Sequence, residues 1–244
     1  MGNILEIKNV TKMYDSTHGI MNISMDIPEG CIYGFIGHNG AGKTTTIKNV
    51  VGILDFDEGE ILINSKSVKE EPVACKQELA YIPDNPGLYN YMSGIQYLNF
   101  VGDIFKIPGE VRQERIHKYS DMFSITRDLA QPISGYSHGM KQKLAIVSAW
   151  IHDPKLVIMD EPFVGLDPQA SHLLKELMRD HCRQGGAIFF STHVLEVAQK
   201  LCDKVAIIKE GRLIKSGTME EVRGDSSLEE AFFELGAGEE NADV

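Results

Sequence analysis

Alternation between apolar and polar side chains marks the start of the chain. ILEIKNV and ISMDI change face at every residue, as half-buried strands do, and EGEILINSKSV repeats the pattern after a turn. CIYGFIG is apolar almost without interruption, which predicts a strand covered on both faces. It runs into GHNGAGKTTTIKNVVGIL, a glycine-rich loop followed by a helix. From about residue 86 to 150 the period lengthens to that of helices, in GIQYLNFVGDIF, EVRQERIHKYSDMF and MKQKLAIVSAW, with breaks at Pro108 and Pro132. KLVIMD and AIFFST then read as short buried strands separated by the helical HLLKELMRDHC. VAIIKEGRLIKSG reads as a hairpin turning at Glu210-Gly211.

These elements predict an α/β fold: a mixed or parallel sheet core, an N-terminal antiparallel β lobe and an inserted helical subdomain. The lobe and core take 1–85 and 151–225, and the insertion takes 86–150, within one domain of residues 1–225. In the remainder, 226–244, SLEEAFFEL predicts a short amphipathic helix and GAGEENADV a disordered acidic tail.

Charge narrows the picture. A formal net charge of -11 argues against sequence-independent binding to nucleic acid, which needs a basic footprint. It argues equally against adhesion to an anionic lipid surface. No apolar run has the length of a membrane span, and MGNILEIKNV lacks the basic and apolar regions of an export signal. Gly2 does not make a myristoylation motif, because position 6 is Glu. Cys31, Cys75, Cys182 and Cys202 are scattered, without a CxxC pair, and are expected to be buried free thiols in a reducing cytosol. His117, His152, His172 and His181 lie in charged or helical segments and read as surface residues.

Candidate chemistry begins at Gly37-His38-Asn39-Gly40-Ala41-Gly42-Lys43-Thr44, which fits G-x-x-x-x-G-K-[ST] between a strand and a helix. Glycines let successive N–H groups point at phosphate oxygens, and the helix N-terminus adds a favourable dipole. Lys43 is placed to reach the terminal phosphates, with the Thr44 hydroxyl placed for Mg²⁺. Farther on, LVIMDEP ends a buried strand in two carboxylates. Asp160 is expected to face the metal, and Glu161, on the other side by strand alternation, to act as base toward an attacking water. His193, closing AIFFST, can donate a hydrogen bond to a phosphate or to that water. In YSHGMKQKL, Ser137 can cap a helix, yet Ser, Gly and Lys crowd a single turn, as groups meeting an anion would.

These motifs together resemble the nucleotide-binding subunit of an ATP-binding cassette (ABC) transporter. The phosphate loop, YSHGM, LVIMDEP, GLD at 165–167 and STH at 191–193 come in that family's order, and the match covers nearly the whole chain. The resemblance implies the P-loop ABC ATPase fold and ATP with Mg²⁺. YSHGM stands where the family has LSGGQ, so Ser137 and Gly139 would contact ATP held by the phosphate loop of a second cassette, identical or sister. Asp167 resembles a residue at that interface, and Tyr14 in KMYDS the aromatic that stacks on adenine. Thr45 belongs with the phosphate-loop ligands. Asp84 replaces the usual Gln that touches Mg²⁺; His138 and Met140 replace Gly and Gln, and Tyr136 replaces Leu, as in some exporter-type cassettes.

Function follows as an expectation from the resemblance: ATP hydrolysis powering a separate membrane permease, more in keeping with export. The chain would be cytoplasmic and peripheral at the membrane, without inserting into lipid. Cassette ATPases of repair or chromosome organisation carry long coiled-coil or zinc insertions, which are missing here, so no nucleic-acid partner is expected. The alternative is a soluble ABC ATPase in an assembly process such as iron–sulfur cluster building.

Overall fold

The N-terminal alternation builds an antiparallel sheet. In the computed structural model, which describes residues 2–237, β1 (Asn3–Met13) lies between β2 (Gly19–Pro28) and β4 (Glu58–Ile63), and the two-residue β5 (Lys66–Ser67) completes the edge. Leu5, Ile7, Ile23, Ile27, Ile61 and Ile63 bury the inward face.

The continuously apolar segments form a second sheet of six strands. Its order is β10 (Arg212–Thr218), β9 (Lys204–Lys209), β3 (Ile32–Ile36), β8 (Ala187–Thr192), β7 (Leu156–Asp160) and β6 (Leu79–Ile82). All neighbours are parallel except the β9–β10 hairpin. Glu210 and Gly211 turn that hairpin with φ of 48° and 76°, the left-handed pair that a two-residue turn uses.

Why these strands lack polar alternation is visible in their packing. Tyr33, Phe35, Ile158, Phe189 and Ile208 join one core with the antiparallel sheet and α1 (Lys43–Val50). Their neighbours Ile32, Ile36, Val157, Phe190 and Ile207 join a second core on the opposite face. There they meet α5 (His138–Trp150), α6 (Pro168–Arg183) and α7 (Leu195–Leu201), together with Leu98 of α3 (Gly94–Ile104) and Ile116 of α4 (Gly109–Met122). Both faces being covered, β3, β7 and β8 are buried at every position.

Two adjoining elements escape the sequence pattern. Helix α2 (Pro72–Glu78) passes directly into β6, with Leu79 serving as helix cap and first strand residue. No turn residue separates them, and four residues are too few to display a period. The short α8 (Met219–Arg223) precedes α9 (Leu228–Ala237), the amphipathic helix expected from SLEEAFFEL. Gly236 and Ala237 belong to α9, and the rest of the expected acidic tail lies outside the described residues.

Two histidines are corrected. His181 is buried, with its ring edge-on to Trp150, and His152 is partly buried and stacked on Phe105 at 3.7 Å between centroids. His181 lies in the last turn of α6 and His152 in the turn just beyond α5, and local charge does not reveal that both fold inward. All four cysteines are free and buried, and burial pushes the Cys31 and Cys182 thiols up to about 12. Among the described residues no helix is long and apolar enough to cross a membrane.

Candidate functional site

β3 ends between β8 and β9, and the chain then turns through 37–42 into α1. Gly40 and Gly42 take φ of 83° and 108°, and a Cβ on Gly42 would stand 2.7 Å from the Ile20 side chain. Glycine is needed there on both counts. Gly42 caps α1 without a side-chain acceptor for the first-turn N–H groups, and that turn holds no acidic residue. Free N–H groups and the helix dipole together suit an anion.

Lys43 is buried, and its ammonium donates to the Gly37 and His38 carbonyls at 2.7 and 3.1 Å. The Glu161 carboxylate is 3.7 Å away. Burial pushes the Lys43 ammonium below its usual range, while the Glu161 and Asp160 carboxylates oppose that shift.

Opposite lies the end of β7. Asp160 is paired in register with Ser191 of β8, and its carboxylate accepts the Thr44 hydroxyl at 2.7 Å and the Ser191 hydroxyl. Ser191 Oγ also accepts the Glu161 N–H at 3.1 Å. Ser191 therefore holds the Asp160 carboxylate and the Glu161 backbone together. Sequence reasoning passed over it, although aligning LVIMD with AIFFST would have set Ser against Asp.

Glu161 corrects the reasoning from strand alternation. It lies beyond β7 with φ of 49°, so a left-handed turn, not the pleat, aims its side chain. The carboxylate turns back toward Lys43 and accepts a hydrogen bond from His193 Nδ1 at 2.9 Å. His193 stands just beyond β8 and is half exposed.

Lys43, Thr44, Asp160 and Glu161 border a cavity of about 690 Å³, open to solvent, a size suited to a small-molecule ligand; His193 lies outside that lining and borders a smaller neighbouring cavity instead. Asn39 and Gly40 of the loop, Thr45, Asp84 and Tyr14 line the larger cavity as well. Tyr14 is 59% exposed just past the end of β1, and its hydroxyl is 3.3 Å from Thr45 Oγ1. The β9–β10 hairpin adds Lys209 and Arg212, the loop between β1 and β2 adds Thr17 and His18, and β2 adds Met21. No motif announces these, because sheet order alone brings them in. Gly211 fastens the turn: its N–H donates to the Ala41 carbonyl at 2.9 Å, and its own carbonyl accepts from Met21 N–H at 2.8 Å.

Thr44, Asp160 and Asp84 supply only oxygen donors, which fits a hard divalent cation. Among the described residues no cluster of three or more His, Cys, Asp or Glu could hold a metal unaided. Phosphate oxygens or water would have to complete the shell.

The profile of the family described as ABC transporter matches residues 20–164, from β2 through the Asp160–Glu161 pair. The chain belongs to the ABC transporter family of ATP-binding proteins. It is 33% identical over 238 residues to the ABC-type transporter ATP-binding protein EcsA of Bacillus subtilis, covering 96% of each chain. A solved ATP binding subunit of an ABC transporter superposes with a TM-score of 0.91 at 33% identity, over 96% of this chain and 99% of that one. The cbiO1 structure from Clostridium perfringens, described as part of the ABC transporter complex cbiONQ, gives 0.78 at 27% identity over 92% of each. Membership of this family implies ATP binding and ATPase activity.

Three positions carried over from the ABC resemblance stand away from the cavity. Ser137 caps α5, accepting Met140 N–H at 3.2 Å, and exposes its turn to solvent. Gly139 approaches Gly165 so closely that an added Cβ would be 2.9 Å from the Gly165 carbonyl. Asp167 caps α6 and pairs with Lys143 at 2.7 Å, which holds its carboxyl below the usual range. Within one chain, then, the YSHGM turn takes no part in lining the cavity beside the phosphate loop.

Proposed function

We propose that this ABC protein is the ATP-hydrolysing subunit of a transporter whose membrane permease is a separate polypeptide, with export as the direction. One observation carries the chemical part: Lys43, Thr44, Asp160 and Glu161 converge on a cavity whose outer wall includes an exposed aromatic, Tyr14. In this reading Tyr14 stacks on the adenine, and Gly37 to Thr45 cradle the phosphates. Lys43 neutralises their charge. Glu161 accepts a proton from the attacking water, and His193, hydrogen-bonded to Glu161, keeps that carboxylate aimed. Mg²⁺ would be held by Thr44, Asp160 and Asp84 and would supply charge neutralisation on the phosphates.

Ser137, Gly139 and Asp167 complete the site from a second cassette, a role supported by their distance from this chain's own cavity. The permease docks on the 86–150 helices at the cytoplasmic face. That placement is supported by the ring cluster of Tyr89, Tyr91, Tyr97 and Phe100, in which Tyr91 is 80% exposed. The description of cbiO1 as part of a larger complex supports a permease on another chain. Export is supported by the resemblance of YSHGM and Asp84 to exporter-type variants. The assembly-ATPase alternative draws no support from relatives that carry transporter names.

Glu161→Gln and Lys43→Ala separate binding from chemistry. Glu161→Gln should bind ATP normally while hydrolysis falls by about 10²–10⁴; Lys43→Ala should lose both. Calorimetric titration with ATP and a phosphate-release assay give the two readings. Unimpaired turnover in Glu161→Gln would remove Glu161 from the reaction.

A further inference from the structure

Helix α9 lies beyond the residues matched by the family profile, yet it reaches the phosphate loop. It is well anchored. Ser227 and Glu230 cap it reciprocally: Glu230 N–H donates to Ser227 Oγ at 3.1 Å, and Ser227 N–H donates to the Glu230 carboxylate at 2.9 Å. Leu228, Ala231 and Phe232 are buried at helical spacing and form one apolar stripe. Leu228 N–H also donates to Gln199 Oε1 of α7 at 3.3 Å.

The stripe ends at the nucleotide site. The Phe232 ring meets His38 edge-on, with centroids 4.8 Å apart at 63°. His38 is the second residue of the phosphate loop, and its carbonyl accepts from both Lys43 Nζ, at 3.1 Å, and Ala41 N–H, at 3.2 Å. A second cavity, of about 350 Å³, has walls from His38, His193 and Phe232. α9 thus touches the residue whose backbone holds the lysine.

We propose that Phe232 is a positioning residue for ATP binding. Through His38 it fixes the front of a loop that two glycines otherwise leave free, so docked α9 preorganises the phosphate cradle. Fixing the loop beforehand reduces the ordering cost at binding. A chain whose α9 is undocked would keep every catalytic group and bind ATP less tightly. The inference rests on the loop binding ATP as proposed above.

A double-mutant cycle tests it. Phe232→Ala, His38→Ala and the double variant are assayed for KM and kcat with MgATP, for ATP affinity by calorimetry and for melting temperature. An aromatic pair is worth a factor of about two to ten, so each single variant should raise KM and Kd by about that much. For Phe232→Ala, which lies outside the phosphate loop, kcat should stay within about twofold. The double variant should be no worse than the worse single. His38 is exposed, so its variant will fold even if Phe232→Ala is destabilised.

Additive penalties would show that the two rings act independently and overturn the proposal. So would a lowered melting temperature with KM and Kd unchanged, since Phe232 would then serve the helix alone. Failure of the wild-type protein to bind ATP overturns the reading of the site together with this inference; normal wild-type binding with either result above overturns this inference alone.

Discussion

His152 shows how much one buried ring can determine. Its imidazole is stacked nearly parallel to Phe105, and Nδ1 is shut from solvent without a hydrogen-bond partner. Burial pushes this histidine down to about 4; Asp153 opposes the shift and Arg115 adds to it. Between about pH 6.5 and 4 the unfolded chain therefore takes up a proton that the folded chain refuses. Stability is complete above that window and is lost as pH falls through it, by roughly 3 kcal/mol at most. His152→Phe keeps a stacked ring and removes the titration, so its melting temperature should fall less between pH 7 and pH 4.5 than that of the wild type. Parallel pH profiles would show that His152 takes its proton as readily folded as unfolded. The sequence could not disclose this, because Phe105 comes from the C-cap of a different helix. Lys43, Thr44, Asp160 and Glu161 were legible for the opposite reason: each belongs to a motif whose spacing is set by a strand end or a helix start.

Between elements, the N-terminus of α5 and the loop joining β7 to α6 are bound as one unit. Three contacts tie them: Lys143 to Asp167 at 2.7 Å, Gly139 against the Gly165 carbonyl, and the His138 ring against the bare face of Gly165. A Cβ on Gly165 would stand 2.3 Å from His138 Cδ2, and its φ is 79°. Gly165→Ala therefore displaces His138 and strains the backbone, at a cost of about 1–2 kcal/mol. Since Gly165 lies outside the main cavity, ATP affinity should hold while turnover drops, as a calorimetric titration beside a phosphate-release assay would show. An equal loss of affinity would mean that this loop shapes the cavity after all. His138 was legible only as a departure from LSGGQ; that it fills the space above a glycine emerges from the fold. α2 and β6 stayed hidden for a related reason, their boundary being a single apolar residue.

For the whole molecule the decisive observation is separation: the phosphate loop and the YSHGM turn lie in one chain but not around one cavity. If two copies pair head to tail, each ATP is held by the loop of one and by Ser137 and Gly139 of the other. A two-fold arrangement makes two such composite sites. Consider a chain with Lys43→Ala, whose signature is intact, and another with Gly139→Asp, whose loop is intact. Alone, each builds only defective sites and should be inactive. Mixed in equal amounts, half the dimers contain both chains, and one of their two sites then joins a good loop to a good signature. Activity should return to about a quarter of the wild-type rate. Two chains each carrying -11 also repel, so recovery should be greater at moderate than at low ionic strength, where screening is weak. Phosphate release from the mixture, followed as the ratio of the two chains is varied, should peak near equal amounts. A mixture as inactive as its components would mean that loop and signature do not serve each other between copies of this chain, and the second cassette would have to be a different polypeptide.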